Sequence, residues 1–199
     1  RTMNMSRDVR LGGGELLVPL GVRVDLNGHA LEVLGDLTRI SNSNGHGVYI
    51  DESTSRLEVH GDVLLEGRSG LSNTVNHFTA GEMHLWGDLT QVASTSNQQR
   101  ISGTHLFFHG QSTVTYDTDD GREVRDVTVL DGAAVQAVNF PVVLGQFLME
   151  GDATFAAEVL QFTSALPLTT AGYAVTYTEP LGDANTYNSA VVHGSIRVP

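Results

Sequence analysis

Glu82-Met83-His84-Leu85-Trp86-Gly87-Asp88-Leu89-Thr90-Gln91-Val92 reads as apolar/polar alternation, then Gly-Asp, then a second short run. Alternation with period two marks a strand with one buried face, and Gly beside Asp is ordinary turn chemistry. The same unit occurs earlier as Leu31-Glu32-Val33-Leu34-Gly35-Asp36-Leu37 and Leu57-Glu58-Val59-His60-Gly61-Asp62-Val63. It recurs later as Phe147-Leu148-Met149-Glu150-Gly151-Asp152-Ala153, with weaker copies at Leu106–Gln111, Val127–Gly132 and Ala190–Ser195. Counted at the Gly35 column, the units stand at 35, 61, 87, 110, 131, 151 and 194, at intervals of 26, 26, 23, 21, 20 and 43. The last interval spans two units, with a degenerate copy at Ala171-Gly172-Tyr173-Ala174-Val175. Repeats of roughly 20–29 residues with one strand per unit belong to solenoids. Unequal lengths are tolerated because each coil touches only its neighbours.

Near-identical strands stacked by translation must run parallel, and the rest of each coil must carry the chain back. Equivalent side chains then form ladders about 4.8 Å apart. One inward ladder would be Val33, Val59, Leu85, Phe108, Val129, Met149 and Val192; a second would be Leu31, Leu57, Met83, Leu106, Val127, Phe147 and Ala190. Both columns are wholly apolar and the columns between them are mixed, as one buried face requires. No window sustains helical periodicity, and Gly145 and Gly151 argue against a helix in the ambiguous stretch from Val142 to Phe162. Pro19 suits a corner, and Leu26-Asn27-Gly28-His29 reads as a turn. The expected fold is all-β: a single-stranded parallel β-helix (β-solenoid) of about eight coils, right-handed by the crossover rule. One domain is expected over 1–199, with 1–14 as a polar tail or cap and 15–199 as coils, in a fragment of a larger protein. Ala190 to Pro199 reads as a further coil that stops uncapped, which would invite end-to-end contact with a flanking domain or another subunit.

The chain has 199 residues, and 40% of them are hydrophobic, enough to bury a core. It has no cysteine, so disulfides and thiolate metal sites are excluded. All eleven basic residues are Arg and stand against 23 acidic ones, for a net charge of -12. Such a charge repels phosphate backbones, so nucleic acid is not an expected partner. The missing Lys is read as compositional bias, or as a trait of a saline surface environment. No apolar run approaches the length of a membrane-spanning helix, so membrane insertion is not expected.

The line from Gly21 to Val33, Gly-Val-Arg-Val-Asp-Leu-Asn-Gly-His-Ala-Leu-Glu-Val, resembles the opening coil of pectin-lyase-like parallel β-helices. The recurring Gly-Asp-Leu-Thr units, and the run from Gly103 to Tyr116, resemble the repetitive passenger regions of large bacterial secreted or cell-surface proteins. That resemblance implies a secreted or cell-surface location and a structural or adhesive role. It also raises a carbohydrate-active enzyme of the pectin-lyase-like type, or a phage or fibre component, as alternatives.

Several patterns bear on chemistry. Gly45-His46-Gly47 and Asp119-Asp120 resemble fragments of polygalacturonase sites, but in reversed order and without the Lys that the family's Arg-Ile-Lys supplies. No catalytic residue is assigned, and no enzyme activity or cofactor is expected. Asp36, Asp62, Asp88 and Asp152 form a Gly-Asp column in which each carboxylate is either satisfied by corner N–H groups or bridged by a cation such as Ca²⁺. The eight His show no metal-ligand spacing among themselves, so no metal residue is assigned. The outward columns place Trp86 beside His60 and His109, with His84 and Phe107 alongside. An exposed aromatic strip is a docking surface for a glycan or a protein ligand, unless a corner folds over it.

Overall fold

The computed structural model describes residues 1–41, 46–67, 75–76, 78–93, 99–117, 123–140, 142–162, 173–176, 186–194 and 196–197; beyond 162 only the backbone is described. Every regular element among these is a strand. No helix is long and apolar enough to cross a membrane.

The chain winds through three sheets. The strand that opens each repeat lies in one of them, stacked as Val9–Leu11, Ala30–Val33, Arg56–Val59, Glu82–Leu85, Gln99–Phe108, Glu123–Val129 and Gln146–Met149, all parallel. The second half of each repeat, after the Gly-Asp corner, builds another sheet: Leu16–Val18, Leu37–Ser41, Val63–Gly67, Leu89–Ala93, Gln111–Asp117, Ala134–Val138 and Thr154–Gln161. A third, shorter face holds Thr2–Asn4, Arg23–Asp25 and Gly47–Tyr49, continued by a bridge from Ile50 to Phe78. This is a parallel β-solenoid.

The ladders fall in the expected register. Leu31 pairs with Leu57, Leu57 with Met83, Met83 with Leu106, Leu106 with Val127, and Val127 with Phe147. Every member of that column from Leu31 to Phe147 is 3% exposed or less, and the Val33–Val129 column is fully buried. Each such side chain contributes roughly 1.5–3 kcal/mol of burial. Towards the later coils, Phe140, Phe147, Phe155 and Phe162 fill the interior edge-to-face.

The Gly-Asp corner has a specific construction. Asp36 Oδ1 accepts from the Asp62 N–H at 2.9 Å, Asp62 Oδ1 from the Asp88 N–H at 2.9 Å, and Asp88 Oδ1 from the Thr113 N–H at 2.7 Å. Asp36, Asp62 and Asp88 therefore each cap the coil above, the first of the two expected readings, whereas at Asp152 it is the N–H that is capped, by Asp131 Oδ1. The glycine makes room for this: a Cβ on Gly87 would stand 2.5 Å from Asp62 Oδ1 and 2.5 Å from the Gly61 carbonyl oxygen. At the Asn27-Gly28 turn both residues have positive φ, and the His29 N–H closes it on the Leu26 carbonyl.

Two expectations are corrected. The N-terminal residues hold two strands, Thr2–Asn4 and Val9–Leu11, which pair parallel with the next coil. Their side chains are short, polar or partly exposed, so no alternation betrays them. At the other end Thr186–Gly194 runs antiparallel to Thr154–Gln161 and to Tyr173–Thr176, and Ile196–Arg197 runs antiparallel to Gln146–Met149. Val192 therefore lies opposite Phe155, and Ala190 opposite Ala157, instead of extending the Met149 and Phe147 ladders. The parallel stack ends at Gln146–Met149 and Thr154–Gln161, short of the eight coils expected. Antiparallel strands cover its last rung.

Candidate functional site

The outward strip is built by the same alternation that builds the core. In Arg56–Val59, Leu57 and Val59 point in, which turns Glu58 and the following His60 out; Glu82–Leu85 does the same for His84 and Trp86. Parallel register then stacks the rings. The His60 and Trp86 ring centroids are 4.2 Å apart at 10°, and Trp86 and His109 are 4.0 Å apart at 14°. Beside them, His84 stacks on Phe107 at 4.5 Å and 2°, and Phe107 on His105 at 4.0 Å.

The structure thus brings together all five residues expected of the strip, His60, His84, Trp86, Phe107 and His109, each half-buried. It also shows how they face. Both faces of the Trp86 indole are covered by imidazoles, so only ring edges meet solvent. A sugar ring has no free indole face to stack on.

The rings are linked by hydrogen bonds. His84 Nδ1 and His109 Nε2 are 2.8 Å apart, so one donates and the other accepts. On its far side His84 Nε2 lies 3.1 Å from Glu82 Oε2. Burial, reinforced by the neighbouring His84, pushes His109 down to about 4, which leaves it neutral at pH 7. His105 Nε2 meets Thr128 Oγ1 at 2.8 Å, and burial lowers its pKa too, against the pull of Asp126 and Glu82.

One coil below Trp86 lies a group that His-only spacing did not reveal. Glu32 and Glu58 are register partners on adjacent strands, and His60 follows Glu58 by two positions on the same face. Their donor atoms lie within 4.8 Å of one another, and they are the one such three-residue group of His and carboxylate side chains among the described residues. His60 Nε2 stands 3.3 Å from Glu32 Oε1. Arg10 Nε pairs with Glu32 Oε2 at 3.2 Å, and Arg56 pairs with Glu58 Oε1. The visible signal was a carboxylate and an imidazole at i and i+2, Glu58-Val59-His60, repeated as Glu82-Met83-His84.

Arg39 was also missed. It occupies an inward column between Val18 and Leu65 and is wholly buried. Its Nη2 donates to the His46 carbonyl at 3.3 Å, while Nε and Nη1 have no hydrogen-bond partner among the described residues. Desolvation lowers its pKa to about 9, with Tyr49 opposing the shift. Counting Leu37-Thr38-Arg39 by twos already places it inward.

Of the polygalacturonase-like fragments, Gly45, Asp119 and Asp120 lie outside the described residues. The described surface carries a depression of about 390 Å³ over Gln111–Thr113 and Gln136, lined by no titratable group. A second, of about 400 Å³, holds Asp8, Arg10, Glu32, Arg56 and Glu58. Comparison with protein-family models, curated proteins and solved structures found no match.

Proposed function

We propose that this chain is a non-catalytic structural or adhesive segment of a secreted or cell-surface bacterial protein, of the kind found in passenger β-helices. The observation that carries this reading is that the outward faces are spent on holding coils together. The Asp column caps backbone N–H groups of the next coil, and the aromatic column stacks on itself. Such a solenoid is a stiff spacer that presents a patterned surface. A glycan or protein ligand on the strip docks against ring edges, through imidazole nitrogens and the indole N–H, because the ring faces are already in contact. The ends of the stack are where a flanking domain or another subunit would join.

The competing reading is a carbohydrate-active enzyme of the pectin-lyase-like type, favoured by the depression that holds three carboxylates, Asp8, Glu32 and Glu58, and two arginines. What speaks for the spacer is that Arg10 and Arg56 are each ion-paired to a carboxylate. An arginine so held has its guanidinium taken up by a neighbouring carboxylate and not by a substrate. Incubation with polygalacturonate, with and without Ca²⁺, decides between them: no unsaturated or reducing ends should appear, and their release, lost on Arg56→Gln, would establish the enzyme.

Binding is tested separately by glycan array and surface-plasmon measurements on Trp86→Phe, which keeps a stacking ring but removes the N–H. Edge-on docking predicts lost binding with unchanged thermal stability. Binding that survives Trp86→Phe would show that the indole N–H takes no part, and absence of binding by the wild-type protein would show that the strip is packing alone.

A further inference from the structure

We propose that Glu32, Glu58 and His60 form a binding site for one divalent first-row transition-metal ion of the Zn²⁺ class. The first ground is geometry. Two carboxylates and one imidazole converge from adjacent coils with all donor atoms within 4.8 Å. A mixed oxygen and imidazole set suits Zn²⁺, Co²⁺ or Ni²⁺, whereas Ca²⁺ prefers an all-oxygen shell.

The second ground is the imidazole. His60 Nε2 is shielded from solvent and makes no well-formed hydrogen bond, although Glu32 Oε1 lies 3.3 Å away. Its ring orientation is fixed by stacking on Trp86 at 10°. An imidazole nitrogen held in place, out of water and facing a carboxylate, is disposed as a ligand.

The third ground is the arginines. Each takes one oxygen of one carboxylate, Glu32 Oε2 for Arg10 and Glu58 Oε1 for Arg56. That leaves Glu32 Oε1 on the His60 side. Ligating carboxylates are commonly oriented by such outer partners. The arginine side chains are 66% and 47% exposed, against 25% and 15% for the two glutamates. The cations therefore sit on the wet side and the carboxylates on the sheltered side. Glu32 and Glu58 are like charges directly opposite across a ladder, an unfavourable pairing that a bridging divalent ion relieves. Three protein ligands leave a coordination position for water or for an anionic group of a partner.

The chain's sole tryptophan makes the site readable. Titrating tag-free protein with Co²⁺ or Ni²⁺ should quench Trp86 fluorescence through the stacked His60, saturating at one ion per chain, and excess Zn²⁺ should reverse the quenching. The double variant Glu32→Gln, Glu58→Gln, which keeps size and fold, should weaken binding at least about tenfold. Its metal-free Trp86 emission should match that of wild type. His29→Gln, on the same coil as Glu32 but turned to Asp8, serves as a control and should bind normally. Quenching that does not saturate, that persists undiminished in the double variant, or that is lost equally in His29→Gln would overturn the site.

Discussion

Gly87 and Asp88 show how two residues lock one coil to the next. The glycine lets the chain pass directly over Asp62, and the aspartate N–H meets the carboxylate it passes over. A methyl group at Gly87 must push aside backbone as well as Asp62 Oδ1. Gly87→Ala should therefore cost about 1–3 kcal/mol in urea denaturation. Gly12→Ala, where nothing lies within 4 Å of the new Cβ, should be neutral; equal effects at both positions would refute the steric role. Arg39 illustrates the opposite case, a residue at odds with its column. Its guanidinium is fully buried with two nitrogens unpaired, between Val18 and Leu65. A buried charge with no counter-charge among the described residues is destabilising, so Arg39→Leu should raise stability by at least about 1 kcal/mol. A fall instead would mean that the guanidinium has a compensating partner.

The aromatic ladder belongs to the scale of whole strands, since no ring in it is positioned by its own coil alone. Its pH response follows from His109. That imidazole titrates at about 4 in the fold, against 6.5 for an unperturbed His. Above about pH 6.5 it is neutral in both states and has no effect on stability. As the pH falls from 6.5 toward 4, the unfolded chain takes up a proton that the fold refuses, so stability is lost across that window. Thermal unfolding of His109→Phe should show a shallower decline between pH 6.5 and 4 than wild type; parallel curves would contradict this. Alternation and register made the strip legible, because a period of two and a constant repeat place Trp86 between His60 and His109. Ring orientation was not legible, since it depends on side-chain rotamers, and it decides that edges and not faces meet solvent. The Glu32, Glu58 and His60 group escaped because it forms across coils, with carboxylates in place of a second histidine.

At the scale of the molecule, the parallel core was readable because its two ladders stay apolar from Leu31 to Val129 without a break. The ends were not. Ala190-Val191-Val192-His193-Gly194 looks like a repeat unit because parallel and antiparallel strands share the same alternation, and chain direction leaves no mark on it. The most direct test of one repeat as one coil is a distance. Thr38, Leu64, Thr90, Thr115 and Val138 are successive register partners. Spin labels at Thr38 and Val138 should then lie about 19 Å apart, four rungs of about 4.8 Å. Deleting residues 56–81 removes one repeat and lets Leu31 stack on Met83, a change that a nearest-neighbour solenoid accommodates. Measured by electron–electron dipolar spectroscopy, the separation should shorten by about one rung, near 4.8 Å, with folding still cooperative. A separation that stays the same, or broadens without a defined maximum, would contradict the stacking of repeats in register.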